Sequence, residues 1–99
     1  MREIIEVNAR PHDVIEFLRL KQNTTMNLKD LDTDAKRVIL HTDIGFLSWG
    51  EKIEVVVQAH NEGSRIVIIG EPINPLNLTS NVDGAVKKLI TILLEHFER

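Results

Sequence analysis

From residue 82 onward, apolar residues recur at helical spacing: Val82, Ala85, Val86, Leu89, Ile90, Leu93 and Phe97, with Ile92 and Leu94 widening the stripe. A stripe this wide cannot face water, so the helix must be deeply covered. Ser80, followed by Asp83 three residues later, resembles a capping box and marks the helix start, although aspartate is shorter than the usual glutamate. A chain of 99 residues has room for one core, so the cover must be built from the residues before this helix.

Those residues read mostly as strands. "REIIEVN" (2 to 8) is rich in β-branched residues, with Ile5 and Val7 on one face and Ile4 and Glu6 on the other. Pro11 then suits a first helical position, and Asp13 places a negative charge near the positive end of the dipole. Val14, Ile15, Phe17 and Leu18 form the stripe of this short helix, which ends near Gln22. "TTMNL" (24 to 28) is a strand candidate, "KDLDTDAK" has turn chemistry, and "RVILHTDIG" (37 to 45) is a clearer strand. "EKIEVVVQAH" (51 to 60) alternates, meets the Gly-containing loop "NEGS", and "RIVIIG" (65 to 70) pairs back. "EPINPLNLTS", with two prolines, reads as a surface connection to the closing helix.

The order β-α-β-β-β-β-α predicts one α+β domain over residues 1–99. Two helices must cover one face of an antiparallel five-stranded sheet to hide their stripes, which gives two layers. The first strand can add beside the fifth, antiparallel to it. The other face is less polar than solvent requires: Ile4, Ile39 and Val56 point to it, together with either Ile66 and Ile68 or Val67 and Ile69. Such residues form a patch of a few hundred square ångströms, which predicts a homodimer through the open sheet face or edge.

Twelve basic against fifteen acidic residues, a net charge of −3, argue against a nucleic-acid binder that relies on phosphate neutralisation. With no cysteine there is no disulfide, thiolate metal site or cysteine nucleophile, and no cofactor motif is present. The first residues reach a proline before any apolar run long enough for a signal peptide, and no run approaches a membrane span. A cytoplasmic protein is the simplest expectation.

Candidate chemistry is sparse. In "GFLSWGEKI", Trp49 and Glu51 can grip a ligand, but the flanking Gly45 and Gly50 equally suit a corner between strands with a covering ring. His41 and Asp43 share a face of one strand, and His60 lies on the neighbouring strand too far away to complete a metal or base constellation. Asp30, Asp32 and Asp34 have the alternate spacing of a calcium loop, yet Ala35 replaces the turn glycine and His41 the closing glutamate. Ser48, Ser64 and Ser80 occupy turn or cap contexts, and none sits in a Gly-x-Ser-x-Gly elbow. His12 and His96 read as surface residues at helix ends. No catalytic residue and no metal ligand is assigned.

The element order, with Ser48, Trp49, Gly50 and Glu51 opening the fourth strand and a long helix starting near Ser80, resembles small bacterial domains similar to the TATA-binding-protein-like and helix-grip (Bet v 1-like) folds. Full helix-grip proteins have more strands and hold apolar ligands between the sheet and the last helix. This shorter chain departs from them where that cavity would be built, and no functional residue carries over. Because no base, nucleophile and anion hole converge in the sequence, the expectation is a non-enzymatic domain that binds a partner protein, its own copy or a small apolar ligand under the closing helix. The alternative is a small enzyme or metal-binding protein using His41 and Asp43, with Glu51 in the same cleft.

Overall fold

The computed structural model describes residues 1–20, 26–42, 50–73 and 81–97. Its elements are β1 (Arg2–Val7), α1 (Pro11–Leu20), β2 (Met26–Asp32), β3 (Arg37–Thr42), β4 (Glu51–His60), β5 (Gly63–Pro72) and α2 (Val82–Phe97). The strands form one antiparallel sheet in the order β1-β5-β4-β3-β2, so β1 does add beside β5. This is the α+β arrangement expected from the alternation.

Pairing decides which half of each alternation faces the helices. Val55 lies between Val38 and Ile68, and Ile53 between Leu40 and Gly70, so these residues share one face. Ile53, Val55, Val57, Ile66 and Ile68 are almost fully buried there, against Val14, Ile15 and Leu18 of α1 and Val86, Leu89 and Leu93 of α2. Each such side chain contributes about 1.5–3 kcal/mol on leaving water, which makes this layer the main stabilising contact. Val67 and Ile69 therefore belong to the opposite face, with Ile4, Val56 and Ile39.

β2 and β5 differ from expectation in their bounds, and β5 begins at Gly63 rather than Arg65. β2 runs on to Asp32 through residues that read as a turn, because Leu28 and Leu31 both pack on the core across a register shift at Lys29. An extra residue of this kind lets both leucines reach the same face. β5 extends to Pro72, which pairs with Glu51, so "Glu-Pro" closes the strand rather than opening the connection. Proline is tolerated at a strand end, where a missing N–H breaks no central ladder.

The reversals are held by short polar contacts. The Asp32 carboxylate accepts the N–H groups of Asp34 and Ala35 at 3.1 and 3.0 Å, while Lys36 takes a φ of 53°. The aspartates thus serve the β2–β3 turn in the manner of an Asx motif. Buried Ser64 donates its hydroxyl to Ala9 O at 2.6 Å, tying the β1–α1 connection to β5. A Cβ built on Gly70 would lie 2.5 Å from Val86 Cγ2 and 2.9 Å from Val82 Cγ1, so the first turns of α2 rest on bare β5 backbone. Phe17 of α1 stacks on His96 at 4.1 Å and meets Phe97 edge-on at 5.4 Å. His96 is thus a packing partner as well as a surface residue.

Candidate functional site

Glu51 is the buried ionisable residue at the start of β4, only 6% exposed. Its Oε1 accepts the backbone N–H of Asn81 at 2.7 Å, and its Oε2 accepts the hydroxyl of Thr42. The Thr42 oxygen in turn accepts the Glu51 N–H at 2.7 Å. Asn81 is the N-cap of α2, with its Oδ1 receiving the Gly84 N–H at 3.0 Å. A capping box needs a carboxylate at the third helical position to reach back to the N-cap N–H. Here that position is Gly84, and Glu51 supplies the carboxylate from the sheet. The anion also sits at the positive end of the helix dipole. Ser80, the cap expected from the sequence, lies outside the described residues; Asn81 does the described capping.

His41 lies on the other face of the sheet. It pairs with Asn27 on β2 and Lys52 on β4, and it is half-buried. Burial chiefly, and then the charges of Lys29 and Lys52, hold its pKa below the ordinary imidazole value. His41 and Glu51 therefore cannot share a cleft. Trp49 and Asp43, the other two candidates, lie outside the described residues. Gly50 has φ +88°, and a Cβ there would stand 2.9 Å from Thr42 O, so this position favours glycine; the rest of the expected corner lies outside the described residues.

The depressed His41 pKa has a stability consequence. An imidazole that binds its proton less readily folded than unfolded contributes stability that is complete above the unfolded value of about 6.5. That contribution is lost as pH falls from there toward the lower folded value. Denaturant titrations of wild type and His41→Gln across this interval should show a decline in wild type that is shallower in the variant. Equal slopes would remove His41 as the source.

One cluster was not anticipated. Because β1 lies beside β5, Glu6 faces Arg65, and the β4–β5 hairpin brings His60 alongside. His60 Nε2 stands 2.7 Å from Glu6 Oε1, and Arg65 is 3.6 Å from the same oxygen. Glu6 and His60 rim an open depression of about 670 Å³ that Ser64 also lines. The residue types are those of a hydrolytic triad, but the geometry is not. The Ser64 hydroxyl points to the helix-covered face and is committed to Ala9 O, whereas Glu6, His60 and Arg65 stand on the open face. The signal in the sequence was the β1–β5 pairing itself, which places Glu6 opposite Arg65. Among the described residues no three histidine, aspartate or glutamate side chains are grouped so as to hold a metal ion. No described helix is long and apolar enough to cross a membrane.

No protein family and no curated protein matches the sequence. In three dimensions the chain is similar to the crystal structure of TTHA0849 from Thermus thermophilus, with a TM-score of 0.51 and 15% identity over 97% of this chain and 86% of that one. At that identity the likeness shows a common fold and nothing about activity.

Proposed function

We propose that this chain is a non-enzymatic binding domain of helix-grip-like architecture, acting in the cytoplasm. The observation that carries the reading is the placement of Glu51 and His41 on opposite faces of the sheet. Glu51 is taken up in capping α2, and His41 stands between lysines, so the two form no acid–base pair. Catalysis needs a base, a nucleophile or metal, and a charge-stabilising group converging on one point. His60, Glu6 and Arg65 form an exposed ion-pair cluster in which the nearby serine is turned away.

Binding at a surface is favoured over an apolar ligand under α2. Val82 and Val86 close on Gly70 without room for a methyl group, and Leu89 and Leu93 are buried against the sheet. A ligand there would have to displace the protein's own core. The test is a panel of generic carboxylic, thio- and phosphoester substrates assayed with wild type, His41→Ala and His60→Ala. Rates indistinguishable from buffer in all three are expected. Turnover that disappears in either variant would overturn the reading and install the enzyme alternative.

A further inference from the structure

Resting on that reading, we infer that the free edge of β1 binds a second copy of this chain, strand to strand about a two-fold axis through Ile4, so that the two sheets run on as one. The Gly70 N–H donates to Met1 O at 2.8 Å, which makes Met1 and Gly70 a hydrogen-bonded pair of the β1–β5 ladder. Such pairs alternate along antiparallel strands, so Glu3, Ile5 and Val7 turn their backbone groups toward β5. Arg2, Ile4 and Glu6 turn theirs outward, where no described residue bonds them.

The two edges of the sheet differ. β2 is closed to another strand, because its ladder shifts at Lys29 and the Asp30 carboxylate takes the Leu31 N–H at 2.9 Å. Bulges and charges of this kind blunt an edge against pairing. β1 has no bulge, lysine or proline over Arg2–Val7. It also carries an apolar side chain that its own sheet leaves uncovered. Ile4 is 48% exposed, whereas Val67 and Ile39 on the same face are each 8% exposed without any partner.

This edge is complementary to itself. A two-fold axis perpendicular to the sheet at Ile4 sets Arg2 opposite the partner's Glu6, Ile4 opposite the partner's Ile4 and Glu6 opposite the partner's Arg2, each pair exchanging both backbone bonds. A shift by two residues in either direction loses a pair and sets Ile4 against a charge. Arg2 enters none of the ion pairs formed among the described residues, and Glu6 holds His60 and Arg65 on its β5 side, which leaves its outer side to the partner's Arg2. Arg2, Glu3, Glu6 and Arg65 bring two cations and two anions to each edge. The two Glu3 side chains are only diagonal neighbours, about 7–8 Å apart, with a Lys87 ammonium near each. Because α2 packs mainly on β5, the two α2 helices lie roughly 14 Å apart at the usual strand spacing, wider than a helix of about 10–12 Å.

The experiment is light scattering after size exclusion over serial dilutions from high to low micromolar, with each variant's fold checked by circular dichroism. Wild type should show the dimer mass at the top of the range and dissociate on dilution. Ile4→Pro removes an outward N–H while sparing the β1–β5 ladder, and should weaken association at least about tenfold, the effect of losing a hydrogen bond on each side of the axis. Arg2→Glu and Glu6→Arg each set like charges opposite one another, so each chain alone should be a monomer. Mixed in equal amounts they pair glutamate with arginine at both positions, and the dimer mass should return. Hydrogen exchange on wild type needs no variant: the Arg2, Ile4 and Glu6 amides should be protected only at dimer concentration, and those of Glu3 and Ile5 at every concentration. A monomer throughout, a dimer indifferent to Ile4→Pro, no recovery in the mixture of folded chains, or an Ile4 amide unprotected in the dimer overturns the proposal. None of these results touches the binding-domain reading, which fails only on turnover.

Discussion

Leu89→Ala is expected to remove about 2–5 kcal/mol of folding stability, the range for leucine-to-alanine changes in a closed core. Leu89 is 2% exposed and stands midway along α2, between Val86 and Leu93, against the central strands. Truncation loses the transfer free energy of the removed carbons and leaves a cavity that the sheet side of the core cannot close, because strand pairing holds its residues in place. Urea titration at fixed protein concentration measures the change, and an unaltered m-value confirms that the native fold persists. A loss below about half a kcal/mol, the level of a neutral surface change, would show that α2 does not seat on the sheet as described.

Glu51→Ala should have a comparable effect for a different reason. It takes the acceptor from the part-buried Asn81 N–H and Thr42 hydroxyl, at up to about 1–3 kcal/mol for each group left without a partner, or roughly 2–6 kcal/mol for both. Hydrogen exchange should locate the damage at the Asn81 amide and the first turn of α2, leaving the β4–β5 hairpin protected. Thr42→Val supplies the double-mutant cycle. If the Thr42 and Asn81 bonds act through the same carboxylate, the combined variant loses less than the sum of the single losses. Strict additivity, or an Asn81 amide that remains protected in Glu51→Ala, would contradict the capping role.

Glu51 also shows what the sequence could and could not convey about the site. Its place at the start of β4, next to a flexible glycine, is legible in "SWGEKI". Its burial is not, since a glutamate at a strand end is ordinarily solvated. What engages it is Asn81, 30 residues away, whose N–H needs an acceptor that Gly84 cannot provide. His41 is the converse case. The sequence placed it with Asp43 as a candidate pair, and the sheet puts it between Lys29 and Lys52, where a proton is held less well. The Glu6–His60–Arg65 cluster followed only in part from the expected β1–β5 pairing, because the register that sets Glu6 opposite Arg65 and beside His60 is fixed by three strands together.

The sequence by itself determined the element types and their order, the apolar stripes of both helices and the partners within each alternating strand. These follow from local periodicity, where neighbours along the chain decide the outcome. It also pointed to a β4–β5 hairpin, through the Gly-containing "NEGS" between two alternating runs, and the structure tightens that turn to Asn61 and Glu62. Tertiary structure alone decided which half of each alternation met the helices, that Val67 and Ile69 rather than Ile66 and Ile68 faced outward, and that Glu51 became part of the α2 cap. A period of two assigns residues to two faces without naming either. The name comes from long-range pairing, when burying Ile66 and Ile68 beneath α2 removes more apolar surface from water than any alternative register.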